Sequence, residues 1–283
     1  MDDLEIFLNL RELLNNFLQE DIGAGDITSD NIIPTDLKAR AEIVCKSRSA
    51  IVCGLEEASV IFDICGCKSD VLVRDGSKIV KGTVVMNVSG YARAILKAER
   101  TVLNILMRMS GIATDTRRMV DIAKGVSILA TRKTAPGLRY FDKKAVVFGG
   151  GATHRMRLDD MVLIKDNHIE LVSDLRKCIK LARENVGSSI KVECEARTKK
   201  EALTAAAAEA DAVMLDNFTP RQAQKTIRAI RKMKLRNNIK IELSGGINQN
   251  NIRCYSKTKP DFISIGYITH SSKAINFSLE IMK

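Results

Sequence analysis

From about residue 120 onward, short and almost continuously apolar stretches alternate with amphipathic ones, and this alternation limits the available folds more than any other feature. The expected strands are "VSILA" (126–130), "AVVFG" (145–149), "MVLIK" (161–165), "IKVECE" (190–195), "DAVMLD" (211–216), "IKIELS" (239–244) and "DFISIG" (261–266). Between most of them lie runs with helical spacing, such as "LVSDLRKCIKLAREN" and "TKKEALTAAAAEA". Strands apolar along their whole length, joined by helices, indicate a parallel sheet covered on both faces. No G-x-G-x-x-G opens a helix and no Walker-type loop occurs, so a barrel is favoured over a doubly wound sheet. The gap at 150–160 is too short for a crossover helix, so the barrel is expected to be irregular there.

The first hundred residues have another texture. An amphipathic helix, apolar at Leu4, Phe7, Leu8, Leu14, Phe17 and Leu18, precedes "RAEIVCK", "AIVCG", the helix "LEEASVIFDIC" and the Gly-punctuated strands of "DVLVRDGSKIVKGTVVMNVSG". A long helix, "ARAILKAERTVLNILMRMSGI", leads into the barrel. The expected division is an α/β domain over 1–112 and an α/β barrel over 113–270, with 271–283 returning to pack on the first domain.

Composition narrows the function. The N-terminus is acidic rather than positively charged at its start and no apolar run approaches a membrane span, so a cytoplasmic protein is expected. The seven cysteines include no C-x-x-C pair, and the close pair Cys65 and Cys67 reads as small apolar residues rather than a metal or redox site. A net charge of +11 asks for an anionic partner. Nucleic acid is one option, but aromatics are only 4% with no Trp, which leaves little for base stacking. The densest basic run, "RAIRKMKLRNNIK" at 228–240, reads as a solvated helix end and turn.

In a parallel barrel the strand C-termini converge on one face, where active sites are assembled. Those ends carry Arg132 and Lys133, then His154 and Arg155, then Lys165 with Asp166 and His168, then Glu195, Asp216, "SGG" at 244–246 and "GYITHS" from Gly266. All three histidines fall into this set. Four cations at one mouth suit a ligand with several negative charges, through bidentate Arg forks and compact Lys charges. The glycine-rich loops suit phosphate, held by backbone N–H groups. Glu195 and Asp216 could hold sugar hydroxyls, meet a Mg²⁺ carried by a diphosphate, or stabilise positive charge on a reacting carbon. Glu193 points the same way by strand alternation and competes with Glu195 for the role.

These residues lie in "TRKTAPGLR", "GGGATHR" and "LIKDNH", and with "EDIGAGDITSDNIIP", "AERTVLNILMRMSGIAT", "VECEARTKKEAL", "VMLDNFTP", "IELSGGI" and "ISIGYITHS" the chain resembles the quinolinate phosphoribosyltransferase family over nearly its whole length. The resemblance implies a type II phosphoribosyltransferase: an incomplete parallel α/β barrel with an N-terminal α/β sandwich domain. It implies transfer of phosphoribosyl from phosphoribosyl diphosphate to quinolinate with Mg²⁺, giving nicotinate mononucleotide, CO₂ and diphosphate in NAD biosynthesis. It assigns Arg132, His154, Arg155 and Lys165 to the quinolinate carboxylates, with Thr131 and Lys133 beside them, and Glu195 and Asp216 to the ribose and Mg²⁺. Ser244, Gly245, Gly246, Ile265, Gly266 and Tyr267 match the 5′-phosphate cradle, with His270 close by. Arg100 matches an arginine that enters a neighbouring subunit's site, which makes a homodimer the minimum assembly. The competing readings are a molybdenum-operon relative with another acceptor and a basic nucleic-acid-binding protein; intact "LIKDNH" and "TRKT" speak against the first.

Overall fold

A computed structural model describes residues 3–233 and 238–282. The contacts divide the chain into two compact units, Met1–Thr114 with Ser272–Lys283, and Asp115–Ser271.

The first unit contains α1 (Asp3–Ile22), α2 (Ile27–Ile32), β1 (Lys38–Cys45), β2 (Ser49–Ile51), α3 (Leu55–Ile64), β3 (Lys68–Val71), β4 (Lys78–Val80), β5 (Val84–Tyr91) and most of α4 (Ala92–Ala123). Leu10, Leu14 and Leu18 of α1 recur every fourth residue and are buried, which gives the helix one apolar stripe. The side chains of Leu4, Phe7 and Leu8 lie outside the described residues. On α4 the same logic buries Ile95, Ala98, Val102, Leu106 and Met109 and leaves Arg100 exposed. Strand β1 is antiparallel to β5, and β5 to β3.

The second unit contains β6 (Ser127–Ala130), α5 (Arg139–Phe148), β7 (Ala152–Thr153), β8 (Val162–Ile164), α6 (Asp166–Val172), α7 (Leu175–Val186), β9 (Val192–Ala196), α8 (Lys199–Ala207), β10 (Ala212–Asp216), α9 (Pro220–Lys232), β11 (Lys240–Ser244), α10 (Ile252–Ser256), β12 (Phe262–Ile265) and α11 (Tyr267–His270). The strand order is β7-β6-β12-β11-β10-β9-β8, and every pair is parallel. No pairing joins β7 to β8 among the described residues, so the barrel is incomplete. Its helices carry their own start signals: the hydroxyls of Thr198 and Thr219 cap α8 and α9 in reciprocal boxes with Glu201 and Gln222. Part of the basic run at 228–240 ends α9; residues 234–237 lie outside the described residues.

The chain then returns to the first unit as β13 (Phe277–Ile281), antiparallel to β1. Gly111 makes this return possible. A Cβ there would stand 2.3 Å from the Lys273 carbonyl oxygen, so only glycine lets the segment lie against α4, where Ile275 N–H donates to Met107 O at 3.0 Å.

One expected strand is a helix. "AVVFG" at 145–149 is the end of α5 and its cap, with Phe141, Ala145 and Val146 buried and Val147 half exposed. The edge strand follows as the two-residue β7, and no helix lies between β7 and β8. No disulfide joins the cysteines, and five are buried. Burial pushes the Cys67 thiol up to about 11 and the Cys194 thiol up to about 12, which keeps both protonated.

Candidate active site

Parallel register sets the side chains of the barrel interior in layers. Met214 stands opposite Glu195 on one side and Glu242 on the other, and Asp216 stands opposite Ser244 one layer further toward the strand ends. Above them opens a cavity of about 480 Å³. It is lined by Thr131, Arg132, Lys133, His154, Arg155, Lys165, Glu195, Asp216, Ser244, Gly245 and Gly246, together with Leu163, Met214, Asn217, Glu242 and Ser264. Of the expected site residues, Ile265, Gly266, Tyr267 and His270 do not line it. Ile265 is buried in the core. Gly266 packs against Lys133 and His270, since a Cβ there would meet Lys133 Cδ at 3.0 Å and His270 Nε2 at 3.2 Å. Arg100 belongs to the other unit.

The cations are held by their own backbone surroundings. Thr131 Oγ1 accepts the Lys133 N–H at 3.1 Å, and the Thr269 hydroxyl lies within reach of the Lys133 and Gly266 carbonyls, at 2.8 and 3.0 Å. Thr269 thus ties the last βα loop to the first. Arg132 Nε is buried and has no hydrogen-bond partner in the protein. Arg155 donates to Met161 O at 3.2 Å. Burial, then the neighbouring Arg132 charge, hold Arg155 below its ordinary pKa, against Glu193 and Asp160.

Beneath this loop lies a lysine that no sequence pattern singled out. Lys143 on α5 is 1% exposed, and its ammonium donates to His154 O at 2.8 Å and Arg155 O at 2.6 Å. Burial pulls its pKa down to about 8, with Arg139, Arg132 and Arg155 acting the same way and Asp160 opposing them. The expected strand covered 145–149 only, and the helix that turns Lys143 inward begins earlier, at Arg139.

The acids divide by depth. Glu195 lines the cavity and accepts from Lys165 Nζ at 3.2 Å, while Glu193 is turned to His154, whose Nε2 lies 2.8 Å away. Of this pair Glu195, not Glu193, lines the cavity. Asp216 accepts from Asn217 Nδ2 at 2.6 Å. Asn217 in turn explains Gly245, which has φ +92° and whose missing Cβ would stand 2.7 Å from the Asn217 backbone N. That backbone N donates to Ser244 O at 3.0 Å, so the tip of β10 and the glycine turn are one packed unit. His168 stands apart from the cavity: its Nδ1 accepts the Lys165 N–H at 2.9 Å and caps α6.

The geometry therefore offers a polyanion several cationic donors, one of them an orphan, in a cavity also lined by the carboxylates of Glu195, Asp216 and Glu242. Comparison with known proteins gives this arrangement a family. The C-terminal domain model of quinolinate phosphoribosyl transferase matches residues 112–280, and the N-terminal domain model matches 26–110. The chain belongs to the quinolinate phosphoribosyltransferase family. Among its relatives, a probable carboxylating nicotinate-nucleotide pyrophosphorylase of Methanocaldococcus jannaschii is 43% identical over 278 residues, 96% of this chain and 97% of that one. The carboxylating nicotinate-nucleotide pyrophosphorylase of Rattus norvegicus is 36% identical, covering 96% of this chain and 91% of its own. Among solved structures, the nicotinate-nucleotide pyrophosphorylase of Francisella tularensis matches with a TM-score of 0.90 at 35% identity, covering 96% of each chain. The incomplete barrel and separate N-terminal sheet are thus the architecture of quinolinate phosphoribosyltransferases.

Proposed function

We propose that the protein transfers the phosphoribosyl group of phosphoribosyl diphosphate to the ring nitrogen of quinolinate and releases one carboxyl group as CO₂. The products are nicotinate mononucleotide and diphosphate, as expected of a pentosyltransferase serving NAD biosynthesis. The observation that carries this reading is the buried, unpartnered Nε of Arg132 in a cavity also lined by Arg155, Lys133 and Lys165. A buried charged donor without an acceptor costs stability unless a ligand completes it. A planar guanidinium is suited to a carboxylate.

In the reaction the bond from the sugar carbon to the diphosphate oxygen breaks first, and its electrons leave with diphosphate. Glu195 and Asp216 oppose the positive charge left on the sugar, and the quinolinate nitrogen then donates its lone pair to that carbon. The ring becomes cationic and accepts the electrons of the breaking C–CO₂ bond, and a proton from water takes the vacated position. Lys165 is bound to Glu195 in the free enzyme, so a quinolinate carboxylate competes with Glu195 for it. Holding two polyanions in one cavity can supply roughly 7–11 kcal/mol of barrier reduction through orientation.

Mg²⁺ belongs to the same proposal. Glu195 and Asp216 provide hard oxygen acceptors that fit a hydrated Mg²⁺ arriving on the diphosphate, with no residue of the chain as its direct ligand. When bound it neutralises charge on the leaving diphosphate. Ser244, Gly245 and Gly246 would hold the 5′-phosphate by backbone N–H groups, with Gly266, Tyr267 and His270 on the adjoining loop. We read the assembly as a homodimer in which Arg100, exposed on α4, reaches the partner subunit's cavity. A cytoplasmic location is part of this reading, because seven cysteines not joined in disulfides suit a reducing compartment. No helix among the described residues is long and apolar enough to cross a membrane.

The test is a direct assay of the purified protein with quinolinate, phosphoribosyl diphosphate and Mg²⁺, with nicotinate as the control acceptor. Nicotinate mononucleotide and CO₂ are expected from quinolinate. Product formed from nicotinate and none from quinolinate would overturn the assignment.

A further inference from the structure

The positive charge of the chain is concentrated in one stretch. Residues 217–260 hold eleven Lys and Arg and a single acid, Glu242, which is a net charge of +10. The whole chain carries +11, so the other 239 residues together contribute only +1. Glu242 is buried in the barrel, so this stretch presents no exposed acid. Such asymmetry points to a polyanionic partner beyond the small substrates of the cavity.

Helix α9 lays the charge out in a line. Arg221, Lys225, Arg228 and Lys232 are exposed and follow one another at intervals of four, three and four residues, which sets them in one stripe. Ala223, Ile227 and Ile230 on the opposite face are buried. The helix has no acid. Its like charges repel at i, i+3 and i, i+4, and Arg221 in the first turn opposes the helix dipole. Other helices of this unit mix signs, as α7 does with Lys180 and Glu184 and α8 with Lys199 and Glu201. Beside α9 packs α10, around which Arg253, Lys257 and Lys259 are exposed. With Lys124 these three line a recess of about 690 Å³ whose one acid is Asp121. Arg231 and Lys240 share Asp261, whereas the four stripe residues of α9 and the three around α10 form no ion pair among the described residues. None of the seven lines the ligand cavity.

The surroundings of the stripe select the polyanion. A lipid surface is disfavoured, because the apolar face of α9 is buried in its own unit and has nothing to lay into a bilayer. Single-stranded nucleic acid is disfavoured, because its bases stack on exposed aromatic rings. The aromatic residues of 217–260 are Phe218, which is buried, and Tyr255, which is half-buried. A duplex keeps its bases inside and presents phosphates, so the scarcity of aromatics is no obstacle. The 13 residues of α9 span about 20 Å at about 1.5 Å each. Over that length a duplex carries about a dozen phosphate charges. We propose that the α9–α10 face binds double-stranded nucleic acid through its phosphate backbone, without reading sequence. This activity is separate from the transferase reaction and does not rest on it.

Fluorescence anisotropy of labelled random-sequence DNA and RNA duplexes, titrated with the full-length protein over a range of salt, tests this. Four to seven phosphate contacts predict a slope of log affinity against log salt between about −4 and about −6, a loss of about 10²–10⁴ in affinity from about 50 to about 200 mM salt. Steep binding of either duplex supports the proposal, and the pair of probes shows which helix form the face prefers. Combining Arg221→Gln, Lys225→Gln, Arg228→Gln and Lys232→Gln should remove about 4 from that slope. The thermal midpoint of this variant should not fall, because relieving like-charge repulsion does not weaken α9. Arg253→Gln with Lys257→Gln and Lys259→Gln tests the face without touching α9, and should remove about 3 from the slope. A control that takes the same charge from the first unit, Lys68→Gln, Arg74→Gln, Lys78→Gln and Lys81→Gln at exposed positions, should bind as wild type. No duplex binding at about 50 mM salt overturns the proposal, as does a control variant as weak as the α9 variant. So does binding seen only with phosphatidylserine vesicles, or salt-sensitive self-association in sedimentation without duplex binding.

Discussion

Replacing Lys143 by Met should separate stability from activity. The side chain is 1% exposed and makes two bonds to backbone carbonyls, at 2.8 and 2.6 Å. Charged hydrogen bonds contribute about 1.5–3 kcal/mol each, so their loss alone would cost about 3–6 kcal/mol. Against that stands the disfavour of a charged amine here. A pKa of about 8 in place of 10.5 corresponds to about 3 kcal/mol, at about 1.4 kcal/mol per tenfold. The two effects largely cancel, and Met fills a similar volume, so the net loss near neutral pH should be about 0–3 kcal/mol. Activity has no such compensation. The carbonyls of His154 and Arg155 lose their anchor, and kcat/KM for quinolinate should fall at least about tenfold, the equivalent of about 1.4 kcal/mol of lost transition-state stabilisation. The pH dependence isolates the lysine. Its folded pKa is depressed, so between about 8 and 10.5 the unfolded chain binds more protons and stability attributable to Lys143 rises with pH through that window. Urea midpoints of wild type and Lys143→Met near pH 7.5 and pH 9.5, both within or beside that window, should diverge as pH rises, with the wild type gaining. A wild-type-to-variant difference that stays constant with pH would show that the charge is not desolvated, and unchanged kcat/KM would show that the anchor does not matter.

Three further outcomes follow from the site. Gly245→Ala should abolish activity and lower the unfolding midpoint, because a Cβ at φ +92° would stand 2.7 Å from the Asn217 backbone N; full activity with an unchanged circular dichroism melt would refute that packing. Arg132→Ala and Lys165→Ala should each weaken quinolinate binding by about 1.5–3 kcal/mol by calorimetry while the fold persists; wild-type affinity would remove that residue from the carboxylate pocket. Mixing Arg100→Ala with Lys133→Ala should restore activity toward about a quarter of wild type when subunits exchange at random and sites act independently. Exchange confirmed by mass without recovery would assign Arg100 to its own subunit.

The strand ends were legible because these cavity-lining side chains sit at, or within two residues of, the end of a strand, where a parallel barrel must present them. Arg132, Lys165, Glu195 and Asp216 were found this way, and the structure lines one cavity with them. "AVVFG" was misread because a short apolar run fits a buried strand and a buried helix face equally well. Lys143 lies just before that run on the same helix, and acts from there on the backbone of the neighbouring loop. Alternation put Glu193 and Glu195 on one face but could not tell which lined the cavity, since that depends on His154 arriving from another strand to take Glu193. Asn217 was invisible for a similar reason: its importance comes from the close passage of the glycine turn, a contact between strand tips distant in sequence.

The pairing of β13 with β1 sets an order of events during synthesis. Every residue of the barrel unit is made before residues 277–281, yet those residues complete a sheet whose other strands lie before residue 92. Chains grow at about 5–20 residues per second and fold domain by domain from the first end. Throughout synthesis of the barrel unit β1 therefore presents an open edge that the last strand will occupy. In that interval the exposed N–H and C=O groups of β1 are available to any extended segment, including the same strand of a neighbouring nascent chain.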